Sequence, residues 1–181
     1  CGAAPSAVAG TLGARAGLWE SANVRLHMTG KVSVFTGSSS HGQGHETAFA
    51  QIVSSELGIP VEDIDVIHGD TSQIQMGTGS FGSRSAAVGG GAIHLSTQKI
   101  KEKAKKLAAH ILEASEDDIV YENGKLFVQG APSEGKTIQE IALASYYYTE
   151  DIPEDMEPGL EAMSFFDPKN FKKSFLRFII Q

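Results

Sequence analysis

The segment from Ala86 to Ala114 does most to limit what this chain can fold into. Ile93, Ile100, Ala104, Leu107, Ala108 and Ile111 recur along it at helical spacing, which predicts one long helix with a single apolar stripe. Such a stripe needs another layer to cover it. Short strands elsewhere supply that layer. Val24 to Met28 and Val32 to Phe35 alternate around Thr29-Gly30-Lys31 and read as a hairpin, with Val24, Leu26 and Met28 on one face and Arg25 and His27 on the solvent side. Val61 to Ile67 alternates into a third strand, clearest from Ile64. Ile119 to Glu122 and Lys125 to Val128 flank Asn123-Gly124, a strong hairpin signal. Two further helices are predicted. Glu46 to Leu57 carries Phe49, Ile52, Val53 and Leu57 on one face and stops at Gly58, and Thr137 to Tyr147 opens on the capping-box pair Thr137 and Glu140. The order ββ-α-β-α-ββ-α describes an α+β fold, a mixed sheet with hairpins and helices packed on it.

Gly89-Gly90-Gly91 sits where the long helix begins. Each glycine inside a helix costs about 1 kcal/mol relative to alanine, so either the backbone packs closely against something there or the helix starts later. The two readings stay open at this level.

Composition narrows the function classes. The 181 residues carry 15 basic and 22 acidic side chains, a formal charge of -7. That balance argues against nucleic acid or an anionic membrane as the main partner. The single cysteine, Cys1, leaves neither an intrachain disulfide framework nor a CxxC metal site and fits a reducing, cytoplasmic setting. No apolar run approaches the roughly 20 residues of a membrane span. A chain that opens on Cys1 and a Gly/Ala/Pro stretch reads as a piece of something longer. Residues 1–17 read as a flexible segment, and residues 151–181 as an irregular acidic and aromatic tail in which Phe175 to Ile180 could form a strand. An exposed tail of that kind offers a route to a homo-oligomer.

Two loops, each rich in glycine and hydroxyl groups and each leading into a predicted helix, carry the chemistry. The first runs Gly37-Ser38-Ser39-Ser40-His41-Gly42-Gln43-Gly44-His45-Glu46-Thr47 and the second Gly77-Thr78-Gly79-Ser80-Phe81-Gly82-Ser83-Arg84-Ser85. Helix starts present unpaired N–H groups and partial positive charge, so glycines that admit a phosphate make such loops natural anion sites. The first loop lacks the Gly-Lys-Ser/Thr of a Walker sequence and is no GxGxxG fingerprint. Gln43 offers an amide that donates and accepts, and Thr47 a hydroxyl one turn into the helix. Arg84 could pair bidentately with a phosphate, among the hydroxyls of Ser80, Ser83 and Ser85. The plainer alternatives are a water-exposed helix start capped by Ser40 and an arginine salt-bridged at the surface. His41 and His45 straddle a glycine turn without a third ligand, which speaks against a metal. No nucleophile and base arrangement is evident around His68 or Asp70.

Several stretches together resemble the molybdenum-containing hydroxylases. They are Gly17-Leu18-Trp19-Glu20-Ser21-Ala22-Asn23-Val24, Thr29-Gly30-Lys31-Val32, Gly42-Gln43-Gly44-His45-Glu46-Thr47, Glu56-Leu57-Gly58-Ile59-Pro60, Gly69-Asp70-Thr71, Gly82-Ser83-Arg84-Ser85 and Met156-Glu157-Pro158-Gly159-Leu160-Glu161-Ala162. The likeness covers xanthine dehydrogenase and aldehyde oxidase and is greatest to the large subunit of aerobic carbon monoxide dehydrogenase. It implies that residues 18–150 form a molybdopterin-binding subdomain, part of an oxidoreductase subunit that performs oxidative hydroxylation with flavin and iron–sulfur partner subunits. It also implies a molybdopterin cytosine dinucleotide, with Gln43, Gly44, His45 and Thr47 towards the pterin and phosphates and Ser80, Gly82, Ser83, Arg84 and Ser85 around the dinucleotide. The family's substrate-side loop and catalytic glutamate have no counterpart here, and residues 171–181 depart from its pattern. The resemblance therefore implies a fragment that is inactive alone; the alternatives are a cofactor-free assembly module of the same fold and a generic phosphate- or nucleotide-binding domain.

Overall fold

The computed structural model describes residues 19–75, 77–81, 84–148 and 152–167. The flexible segment expected at 1–17 and the strand expected at Phe175 to Ile180 lie outside them. Glu20–Leu26 (β1) and Val32–Thr36 (β2) form the expected antiparallel hairpin, with Val24 opposite Val34 and Leu26 opposite Val32. His45–Leu57 (α1) then crosses to Ile64–His68 (β3), which pairs parallel with β2. The long helix, Gly90–Ile111 (α2), follows a single π turn at Ser85–Gly89. Ile119–Glu122 (β4), Lys125–Val128 (β5) and the short Lys136–Thr137 (β6) make a second, antiparallel sheet. Ile138–Tyr147 (α3) and Leu160–Phe166 (β7) complete the order.

The α+β reading holds, with a mixed main sheet ordered β3-β2-β1-β7. Its helix-facing residues alternate as the strand period requires: Ala22, Val24, Leu26, Val32, Val34 and Leu160 are fully buried. Phe49, Val53 and Leu57 of α1 and Ile93, Ile100, Ala104 and Leu107 of α2 close over them.

Several expectations need correcting. Leu160–Phe166, assigned to an irregular tail, is a seven-residue strand paired along the whole of β1. Its partner lies well over a hundred residues away, beyond any local periodicity. Met28 is 46% exposed because β1 ends at Leu26 before the turn. Val61–Asp63 is one 3-10 turn, closed by the Asp63 amide on the Pro60 carbonyl at 3.0 Å, rather than strand. Arg25 is not simply solvent-side, since it grips Glu161 of β7 through two 2.9 Å hydrogen bonds. His27 is half-buried, 2.8 Å from the Ser33 hydroxyl.

The triple glycine is resolved in favour of close packing. A Cβ on Gly89 would lie 2.7 Å from Ser38 Oγ, on Gly90 3.1 Å from Ile52, and on Gly91 2.9 Å from the Phe166 ring. The start of α2 thus touches the first loop, α1 and β7 at once. The capping box of α3 forms as expected, with the Glu140 amide on Thr137 Oγ1 and the Thr137 amide on the Glu140 carboxylate.

These braces set the acid response. Hydrogen bonds from Arg25 hold the Glu161 carboxyl below its ordinary value, and the Thr137 amide does the same for Glu140. Burial pushes Glu56 up, yet hydrogen bonds from Lys101 and Gln98 outweigh it and leave it lowered. A lowered folded value means that the unfolded chain takes up its protons first, so this stability is present above about pH 4.3 and is lost as pH falls further. Buried Glu20, raised chiefly by desolvation, has the opposite sign. We expect the urea midpoint to drop between about pH 5 and pH 3; a midpoint that rises there would contradict the assignment.

Candidate functional site

Thr36 ends β2 inside the core, and the chain leaves it as the first loop. That loop runs into α1 through Gly44, whose φ of 70° is a left-handed conformation suited to glycine. No side chain caps this helix start, so Ser40 is not the N-cap. Gly42 and Gly44 have open space where a side chain would stand, and Gln43, Gly44 and Thr47 are exposed. Gln43 Oε1 accepts from the His41 amide at 2.5 Å, which leaves its NH2 group pointing away from that turn. His45 stacks on Phe49, ring centroids 5.5 Å apart.

One negative charge already occupies this positive terminus. The Glu46 carboxyl is lowered first by its own backbone amide and then by His68, whose Nε2 lies 2.7 Å from it. An anion arriving here meets Glu46, so this helix end alone is a modest anion site.

The second loop supplies the missing side. A Cβ on Gly77 would fall 2.6 Å from the Gly37 carbonyl oxygen, so the two loop backbones lie in direct contact. Ser85 donates to Ser80 Oγ at 2.8 Å, and Ser80 donates onward to the Ser39 carbonyl at 2.5 Å. Ser80 Oγ also lies 3.4 Å from His45 Nδ1. Thr78 Oγ1 is shut off from solvent without a hydrogen-bond partner among the described residues. The π turn at Ser85–Gly89 adds to this, since such turns recur at functional sites. Gly77→Ala is expected to push the loops apart at a cost of about 1–3 kcal/mol, seen as faster amide exchange at Gly77 to Phe81; unchanged exchange would contradict the contact.

Most of the expected site residues are therefore brought together: Gln43, Gly44, His45, Thr47, Ser80 and Ser85 share one end of the sheet. Gly82 and Ser83 lie outside the described residues. Arg84 requires a correction. It was expected to face a phosphate or to form a surface salt bridge, but it is 4% exposed and its Nη1 lies 2.6 Å from Glu20, itself fully buried. Burial pushes the Glu20 carboxyl up, and the Arg84 contact pulls it back. Glu20 has the same strand parity as Ala22, Val24 and Leu26, and an acid in the core phase of a strand signals a buried basic partner. That signal was available in the sequence. Among the described residues no His, Cys, Asp and Glu cluster could hold a metal ion, and no helix is long and apolar enough to cross a membrane.

The open glycines, the uncapped helix start and the unpartnered Thr78 hydroxyl suit a polar, phosphate-bearing ligand. Comparison with known proteins gives that ligand a class. A model of the molybdopterin cofactor-binding domain matches residues 1–178. The chain is 44% identical over 174 residues to the carbon monoxide dehydrogenase large chain of Hydrogenophaga pseudoflava, an alignment covering 96% of this chain and 21% of that protein. A solved Cu,Mo-CO dehydrogenase in its carbon monoxide reduced state superposes with a TM-score of 0.83 at 43% identity, over 93% of this chain and 20% of that one. Quinoline 2-oxidoreductase from Pseudomonas putida 86 gives 0.82 at 37% identity, over 92% and 21%. The chain spans about a fifth of the length of these relatives. Motifs, fold and likeness agree, and the chain belongs to the molybdopterin cofactor-binding domain family.

Proposed function

We infer that this chain is the part of a molybdenum hydroxylase large subunit in which two apposed loops hold one molybdopterin cytosine dinucleotide. The observation that carries this is the contact of the two loops, Gly77 on Gly37 and Ser80 on Ser39, beside the uncapped start of α1. The NH2 group of Gln43 and the open backbone of Gly42 and Gly44 face the pterin side. Thr47 offers its hydroxyl to the phosphates, and the relay from Ser85 through Ser80 to the Ser39 carbonyl holds the second loop beside them. Ser80 accepts from Ser85, and so keeps its own proton directed at the first loop. When bound, the cofactor supplies two-electron redox chemistry at molybdenum; this chain's share is to bind and orient it.

The parent activity in this reading is oxidative hydroxylation in the cytoplasm, with electrons leaving through flavin and iron–sulfur subunits. The chain alone binds without turning over. The test is to express it in a host that makes the cytosine dinucleotide and to assay the purified protein for molybdenum, released cytosine nucleotide and dehydrogenase activity. Near-stoichiometric cytosine nucleotide without turnover is expected. Its absence, together with no measurable binding of cytidine diphosphate, would sink the reading.

A further inference from the structure

Arg84 donates in two directions. Nη1 reaches the Glu20 carboxylate at 2.6 Å and the Gly79 carbonyl at 2.9 Å, and Nη2 reaches the Trp19 carbonyl at 3.3 Å. Its guanidinium carbon lies 5.5 Å from the centre of the Phe81 ring, and its own amide bonds to the Phe81 carbonyl at 3.2 Å. One side of this grip is the start of β1, and the other is the second loop. That loop holds Gly77, Gly79 and Gly82, with Gly79 at a φ of 77°, so without an anchor it would sample many conformations.

A buried ion pair is weak evidence for stability, because desolvation of both charges offsets their attraction. Well-packed apolar side chains of similar size would stabilise this place about as well. What they could not do is fix Gly79 and Trp19 to a common point through a planar, forked donor. We propose that Arg84 is a positioning residue: paired with Glu20, it holds the second loop against β1 in the conformation that receives the dinucleotide phosphates, without itself touching them. This rests on the reading that the second loop contacts the cofactor. A loop ordered beforehand loses less freedom on binding, and the pair acts through affinity for that reason.

Direct contact and positioning predict opposite signs for Glu20→Gln in the 181-residue chain, probed with cytidine diphosphate. If Arg84 touched phosphate, removing its buried partner's charge would free it and tighten binding. If Arg84 positions the loop, Glu20→Gln loosens the anchor and weakens binding by roughly tenfold to a hundredfold. Amide exchange should also quicken at Gly77 to Phe81 without ligand, while the β4–β5 hairpin is unchanged. The paired substitution Glu20→Met with Arg84→Met removes the anchor but leaves no unpaired buried charge. We expect it to unfold at or above the wild-type midpoint, to bind the probe more weakly, and to keep the wild-type dependence of affinity on salt. Loss of a direct charge contact with phosphate would lower the slope of that dependence, because salt screens such a contact. Tighter binding in Glu20→Gln, or a lowered slope in the paired variant with exchange unchanged, would overturn the proposal. If the wild type fails to bind the probe, the anchor is judged on the exchange at Gly77 to Phe81, and wild-type rates in both variants would overturn it; the cofactor reading falls if the purified chain also carries no cytosine nucleotide.

Discussion

Phe49→Ala is expected to cost about 3–5 kcal/mol, the largest effect of any single side chain at the junction of core and site. Phe49 is 1% exposed and stands in the first turns of α1, just after the first loop. Its ring meets the space beside Gly89 and Gly90 of the α2 start, and the His45 ring stacks on it. Truncation empties a volume that the glycine side cannot fill, because those positions carry no side chain to move in. The hole therefore persists rather than collapsing, which puts the cost towards the upper end of the range. His45 also loses its support, so the 3.4 Å approach of Ser80 should be lost with it. Urea denaturation gives the first quantity, and the linewidth and shift of the His45 ring signals the second. A loss below about 1.5 kcal/mol would mean that the site repacks, and the glycine argument would fail.

Gly58→Ala should follow closely, at about 3 kcal/mol, for two separable reasons. Gly58 closes α1 with a φ of 63°, where alanine is strained by about 1–2 kcal/mol. A Cβ there would also fall 2.3 Å from the Gly124 amide nitrogen, so the hairpin turn at Asn123-Gly124 would have to move away. The Tyr121 hydroxyl bonds to the Leu57 carbonyl at 2.7 Å just beside it, so the second sheet is fastened to the end of α1. Gly69→Ala isolates the first reason, since Gly69 has a φ of 75° but open space around it. A drop in melting temperature of roughly 10 °C is expected for Gly58→Ala, and about half of that or less for Gly69→Ala. Equal drops would show that the contact with the hairpin turn contributes nothing.

Both positions separate what local sequence can show from what it cannot. Gly58 after an apolar helical stripe marks a C-cap by itself, because the cap is decided by residues within one turn. That the same glycine also receives the backbone of a turn 66 positions further on cannot be read locally. The Thr137 and Glu140 capping box, the Asn123-Gly124 turn and the stripe of α2 were legible for the same reason as the cap. Each depends on side chains three or four residues apart, or on the conformational range of one residue. The paired loops were legible as chemistry, through glycines, hydroxyls and the motif Gly42-Gln43-Gly44-His45-Glu46-Thr47, but not as geometry.

Arg84 shows what a local reading cannot place. Beside Ser83 and Ser85 at a helix start, an arginine looks like a ligand for phosphate, and nothing within ten residues says otherwise. Its partner is Glu20, 64 positions earlier and buried at the start of β1. β7 is the same case in backbone form. Its exposed side chains Glu161, Met163 and Phe165 blur the alternation, and only pairing along β1 makes it a strand of the main sheet.

The sequence by itself determined the α+β class, the main helices, the hairpins, the family and the two loops that bear the chemistry. These follow from periodicity, turn chemistry and motifs, all short-range. Only the tertiary structure decided that the loops touch, that Gly89-Gly90-Gly91 is a packing surface and that Arg84 faces inward. Each of those depends on which distant segments share a buried space, and the free energy of burial carries no record of separation along the chain.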